Sequence, residues 1–131
     1  MNLGGMKMKT ETMLYDKLKK VIPENVKKTV LFADVEDTSF EVFFYAYFLE
    51  AHQPKQCFEL AEEGKLDEND LDVVFETIVK ILKQDGRFIE NKKNIFTLIV
   101  DCTGVLLEVE YFEKDERLFQ IKKDWTSKHL N

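Results

Sequence analysis

The chain holds two cysteines and two histidines, the residue types from which a nucleophile and its base are often built. Cys57 and His52 are five residues apart, but Pro54 separates them and no third group is placed to orient the histidine. The sequence also lacks a phosphate-binding glycine loop, a nucleophile elbow and a metal-ligand spacing of cysteines and histidines. We therefore expect that the protein is not an enzyme, and we interpret Cys57 and Cys102 as free thiols.

Paired carboxylates are the second candidate for chemistry, because neighbouring acids can hold a divalent cation. Such pairs occur at Glu62 and Glu63 and again at Asp70 and Asp72. No glycine-punctuated calcium loop surrounds them, and Asp67 stands where a helix N-cap is expected. Acids in the first turns of a helix favour the positive end of its dipole. Helix capping therefore explains the cluster, and we expect no metal and no cofactor.

The acids are concentrated in the middle third of the chain. The stretch from Asp34 to Glu76 holds thirteen acids and two lysines, a net charge of −11, whereas the flanking stretches carry +4 and +1. This pattern argues against nucleic acid as the partner, because nucleic-acid binders need a basic footprint. It fits a basic protein partner, although a merely solubilising surface is the alternative.

The elements that must position these acids follow from hydrophobic periodicity. We predict the order α-β-β-β-α-β-β-α, an α+β fold with an antiparallel sheet of about five strands and three helices segregated against it. The predicted elements are a helix capped by Thr10 or Thr12 and ended by Pro23, strands at Thr29–Val35, Ser39–Leu49 and Gln56–Leu60, a helix from Asp67 to about Gln84, strands at Ile95–Val100 and Val105–Phe112, and a helix from Glu116, capped by Asp115, to about His129.

A turn from Asp101 to Gly104 joins the last two strands into a hairpin. Asp101 can accept a hydrogen bond from the backbone two residues on, and Gly104 permits a positive φ. The second strand is unusually aromatic, and one of its faces carries Phe43, Tyr45 and Tyr47. A helix of the chain or a partner must cover that face. A small-ligand binding module or a housekeeping homodimer that uses this face is thus an alternative function.

Length and hydropathy predict one domain at residues 10–131, preceded by a disordered leader or vector-derived residue at 1–9. The N-terminus lacks the apolar core of a secretory signal. No apolar run reaches the ~18 residues that span a bilayer. We therefore expect a cytoplasmic protein that does not bind membranes.

Several stretches in a fixed order resemble the YezG-like family of small acidic antitoxins, or immunity proteins, that pair with secreted bacterial nuclease toxins. The resemblance rests on Leu14–Leu18 before Val21–Glu24, on Glu41–Tyr45, on the acidic helix Asp67–Leu82, on Phe96–Leu98 with Asp101–Gly104, and on the last helix with Glu116, Arg117 and Trp125. Together these stretches cover most of the chain from Leu14 to Trp125.

The resemblance implies an immunity protein that binds a cognate toxin with a basic nuclease domain and occludes its active or substrate-binding site. It implies neither catalysis nor nucleic-acid binding, and it leaves a homodimer open. Since an acidic surface would steer such a partner, we predict contacts through acids of the middle third and through two aromatic anchors. The predicted contact set is Asp34, Glu36, Asp37, Tyr45, Tyr47, Glu62, Glu63, Asp67, Glu68, Asp70 and Asp72.

Overall fold

The structure, a computed structural model, describes residues 9–130. Its elements are α1 (Thr10–Leu18) followed by a 3-10 turn (Lys19–Val21), β1 (Val26–Val35), β2 (Phe40–Phe48), β3 (Lys55–Gln56), α2 (Cys57–Glu62), α3 (Glu68–Lys83), β4 (Lys92–Asp101), β5 (Gly104–Glu113) and α4 (Leu118–His129). The predicted α+β class with a five-stranded antiparallel sheet is confirmed, and α2 is a fourth, short helix. Apart from Lys9, the predicted leader lies outside the described residues.

The strands lie in the order β3-β2-β1-β4-β5, and every neighbouring pair is antiparallel. β1 is central because it pairs with both β2 and β4, so that Phe32 lies between Phe43 of β2 and Thr97 of β4. The predicted hairpin is confirmed: Asp101 accepts a hydrogen bond from the backbone N–H of Thr103 at 2.8 Å, and Gly104 has a φ of +136°.

Helices cover both faces of the sheet rather than one. On the first face α3 buries Leu71, Val74, Phe75, Ile78, Val79 and Leu82, and α1 lies beside it over β5. Phe75 packs edge-on against Phe44 of β2 at 6.2 Å between ring centroids. On the opposite face α4 places Trp125 edge-on against Phe32 at 5.3 Å. The predicted segregation of the helices is thus wrong for α4.

The third strand is shorter than predicted, because Cys57–Glu62 is helical and only Lys55–Gln56 pairs with β2. A capping box causes the switch: the carboxylate of Glu59 accepts a hydrogen bond from the backbone N–H of Gln56 at 3.2 Å. Two apolar residues of the segment, Cys57 and Leu60, then lie on one helical face and are fully buried.

Two predicted helix starts are also wrong. In α1 the N-cap position is held by Lys9, and the hydroxyl of Thr10 instead donates to Asp85 at 2.5 Å, which ties the start of α1 to the end of α3. In α4 the cap is Arg117, two residues after Asp115. The backbone N–H of Glu116 donates to the carbonyl of Glu113, so these residues belong to the turn after β5.

Candidate partner-binding site

An acidic corner, defined here as Glu62, Glu63, Asp67, Glu68, Asp70 and Asp72, lies where α2 ends and α3 begins. As predicted, Asp67 is the N-cap of α3, and its carboxylate accepts the backbone N–H groups of Asn69 at 2.8 Å and Asp70 at 3.1 Å. The cap fixes where α3 begins, and Glu68, Asp70 and Asp72 follow it along the first turns of the helix. All six side chains of the corner are exposed.

The corner carries more negative charge than its own lysines balance. Glu63 is paired with Lys55 at 2.7 Å and with Lys65 at 3.4 Å, and the bond from Lys55 lowers the pKa of Glu63. Within residues 9–130, Glu62, Glu68, Asp70 and Asp72 form no ion pair. These four carboxylates are therefore available to a basic partner.

Two further residues of the predicted contact set, Glu36 and Asp37, lie in the β1–β2 turn and bind within the protein. The carboxylate of Asp37 accepts the backbone N–H of Asn91 at 3.2 Å, which is the main reason that its pKa is lowered, and it is paired with Lys114 at 3.3 Å. Glu36 is paired with Lys93 at 3.1 Å. Both acids are half-buried, so this turn presents less free charge than the acidic corner.

The turn and the corner lie at opposite ends of α3. Lys83 in the last turn of α3 donates to the backbone carbonyl of Asp37, whereas Asp67 caps the first turn. The 16 residues of α3 span about 24 Å at 1.5 Å a residue. The acidic middle third of the sequence therefore does not form one continuous surface.

Asp34 lies inside the protein at 2% exposure, and its Oδ1 has no hydrogen-bond partner. It belongs to the sheet face that α4 covers and lies opposite Glu41 in β2 and Ile95 in β4. Burial, and then the neighbouring Glu36, raise the pKa of Asp34 to about 7, and the charge of Lys93 opposes this shift. Asp34 therefore does not share the surface on which the other predicted acids lie.

The aromatic face of β2 is covered by α4. Phe43 stacks on Phe32 at 4.7 Å, and Trp125 lies edge-on to Phe43 at 5.8 Å while its Nε1 donates to Thr97 at 2.8 Å. Tyr45 and Tyr47 are left half-buried at the margin of this cluster. Ile121 and Trp125, spaced by one helical turn, were the sequence signal for this contact. The face that a ligand or a second copy would need is thus occupied by the chain itself.

The cysteines are free, as predicted. Cys57 is fully buried at the start of α2, and its Sγ accepts the backbone N–H of Phe44 at 3.5 Å. Burial raises the pKa of the Cys57 thiol to about 11, which disfavours the thiolate that a nucleophile requires. Cys102 lies exposed at the tip of the hairpin.

Within residues 9–130, no group of three or more histidine, cysteine, aspartate or glutamate residues is arranged to hold a metal ion. No helix in this range is long and apolar enough to cross a membrane.

A protein-family model matches nearly the whole described range of the chain. The family model with the description Immunity protein YezG-like matches residues 10–131. No curated protein matches the chain. Since the family match begins with α1 and extends past α4, it covers every element described above. The chain therefore belongs to the YezG-like family of immunity proteins.

Proposed function

We propose that this protein binds a cognate nuclease-type toxin and neutralises it by occluding the active or substrate-binding site. The observation that carries the proposal is the family match over residues 10–131, which makes the chain an immunity protein. The protein would act in the cytoplasm by binding alone. The buried Cys57 thiol, with its raised pKa, is consistent with a role that needs no nucleophile.

The nuclease class of the toxin is supported by charge. Nucleases attract phosphate backbones through basic clefts, so an acidic inhibitor is complementary to such a cleft. The chain has a net charge of −6, and four exposed carboxylates of the acidic corner have no partner within residues 9–130. Their attraction would increase the association rate with a basic domain.

We place the centre of the contact at the acidic corner. α3 is anchored by six buried apolar side chains, so the backbone that carries its exposed carboxylates is held in place before a partner binds. Tyr45, one of the two proposed aromatic anchors, pairs with Gln56 immediately before α2. A half-buried tyrosine combines a large contact area with low conformational entropy.

The test is reconstitution with the nuclease domain encoded beside the gene for this protein. The purified pair should form a complex on a sizing column, and the immunity protein should abolish cleavage of nucleic acid near equimolar ratio. An enzyme acting on a toxin product would instead protect at catalytic amounts. Absence of a complex would overturn the proposal, and a complex with a toxin that cleaves no nucleic acid would overturn its nuclease part.

A further inference from the structure

The two edges of the sheet differ in how they are protected. At one edge β3 is only two residues long, and α2 follows it at once. At the other edge β5 runs for ten residues, and among the described residues no strand pairs with its outer side. A long edge strand leaves backbone N–H and C=O groups free to pair with another chain. β5 is therefore the edge at which strand addition is open.

β5 lacks most of the features that protect an exposed edge. The strand contains no proline, lysine or arginine, and its register with β4 is continuous from Lys92 to Asp101 without a bulge. Prolines, lysines and bulges are the usual obstacles to edge pairing. The edge is regular and can accept a further antiparallel or parallel strand without rearrangement of the hairpin.

Every second side chain of β5 lies on the face that α4 partly covers. The four on this face are Leu106, Glu108, Glu110 and Phe112. Leu106 is 52% exposed and Phe112 is half-buried, so two apolar positions flank two acidic ones. Both glutamates are exposed, and neither forms an ion pair within residues 9–130. In a sheet, the complement of a carboxylate is a basic side chain directly opposite on the neighbouring strand.

A cleft of about 260 Å³ lies beside these glutamates, between β5 and the C-terminal end of α4. Its lining comes from the sheet on one side and from Lys128 and His129 of α4 on the other, and the sheet residues are Ile95, Thr97, Glu108, Val109 and Glu110. Burial lowers the pKa of His129, so the imidazole is neutral near pH 7 and the two glutamates outweigh Lys128. A side chain from an added strand can enter this cleft and reach a net negative wall.

A second copy of the chain is a poor occupant of this edge. Any two-fold antiparallel pairing centred near the middle of β5 places Glu108 and Glu110 of one copy opposite or diagonal to those of the other. Like charges at these positions destabilise a sheet. Charge therefore favours a basic strand from a different protein.

We propose that the outer edge of β5 binds, by strand addition, an extended segment of a partner protein with two basic residues at alternate positions between two apolar ones. The site is separate from the acidic corner, because the two sheet edges lie about 19 Å apart at about 4.8 Å a strand. The proposal does not depend on the partner being a nuclease, and its test uses no toxin.

The probe is a synthetic peptide with the core Leu-Thr-Lys-Thr-Lys-Thr-Leu, added to the isotope-labelled full chain. Amide shifts should change along β5 and at the α4 end of the cleft, and hydrogen exchange of the outward β5 amides should slow by about tenfold at saturation. The same peptide with glutamates in place of its lysines should produce neither effect, because its charges would oppose Glu108 and Glu110.

The matched variants separate a specific edge from general attraction. Glu108→Lys with Glu110→Lys should weaken binding of the lysine peptide by about tenfold or more. Asp70→Lys with Asp72→Lys, an equal charge change at the acidic corner, should leave binding of the lysine peptide nearly unchanged.

Equal losses in both variants, shifts centred on the acidic corner, or unchanged β5 exchange would overturn the proposal. Self-association of the free protein through β5 would overturn the choice of occupant. The exchange measurement on the unmutated chain decides the matter even where a variant fails to fold.

Discussion

At the scale of single residues, Asp34 is a buried carboxyl group, and one of its two oxygens, Oδ1, has no hydrogen-bond partner. Alternation along β1 places it on the same face as Val30 and Phe32, although it belongs to the partner contact set predicted from the sequence. Sequence could not predict its burial, because that depends on α4 packing over this face from about 85 residues away. The charged groups around it are Glu36 in the β1–β2 turn, Glu41 in β2 and Lys93 in β4.

We expect Asp34 to make stability fall as pH rises. The folded-state pKa of about 7 lies above the value of 3.8 for an unperturbed aspartate. As pH rises, the unfolded chain therefore releases this proton first, and stability contributed by the protonated group is lost between about pH 4 and pH 7. Asp34→Asn removes the free-energy cost of a buried charge. The free energy of unfolding of the variant should therefore exceed that of the wild type by roughly 2–4 kcal/mol at pH 8 and by little at pH 3.5.

Urea unfolding from pH 3.5 to pH 8 measures this effect directly. Asp115→Asn is the matched control, because Asp115 is exposed in the turn before α4 and its substitution should leave the pH profile unchanged. Parallel stability profiles for the wild type and Asp34→Asn across the whole range would contradict the expectation.

At the scale of elements, the long periodic segments were predictable and the short ones were not. The 16-residue stripe of α3 and the alternating strands of the hairpin define their own period. The six residues of α2 are too few to distinguish a strand from a helix by apolar pattern alone. The spacing of Gln56 and Glu59 was the available signal, because a glutamate three residues after an N-cap marks a capping box.

Truncation of Phe75 tests the packing of α3 on the sheet. Phe75 is 4% exposed and contacts the rings of Phe44 and Phe58 edge-on. Phe75→Ala should cost about 3–5 kcal/mol, since it removes a buried ring and leaves a cavity. Val73→Ala on the same helix is the control, because Val73 is 65% exposed, and it should cost less than about 0.5 kcal/mol. Denaturant titration of both variants gives the comparison, and a loss below about 1 kcal/mol for Phe75→Ala would place its ring outside the core.

At the scale of the whole molecule, charge that is concentrated in sequence is divided in space. The block from Asp34 to Glu76 carries −11, but α3 separates the paired acids of the β1–β2 turn from the free acids of the corner. The contact set predicted from charge included Glu36 and Asp37, because their pairing with Lys93 and Lys114 depends on distant strands and turns that the local sequence does not show. The acidic corner was the part that local sequence could define, since Asp67 caps the helix that carries it.

Association of the proposed toxin should depend on the charge of the acidic corner. Glu68→Lys, Asp70→Lys and Asp72→Lys together should lower the association rate and weaken protection of cells, while Asp67 is retained so that the cap of α3 stays intact. The wild-type rate should also fall steeply with salt, because the Debye length shrinks from about 10 Å at 0.1 M to about 3 Å at 1 M. Dissociation should respond less, since short-range packing governs it.

The matched control reverses three other exposed acids, Glu90→Lys, Asp115→Lys and Glu116→Lys, which change the net charge equally at a distance from the corner. Stopped-flow association at several salt concentrations should show a smaller loss of rate for this control, because steering depends on where the charge lies as well as on its sum. Thermal melting of each variant establishes that it is folded. Equal losses in both triple variants would mean that net charge alone steers the partner. A corner variant that binds at the wild-type rate would show that the acidic corner is only a solvated surface.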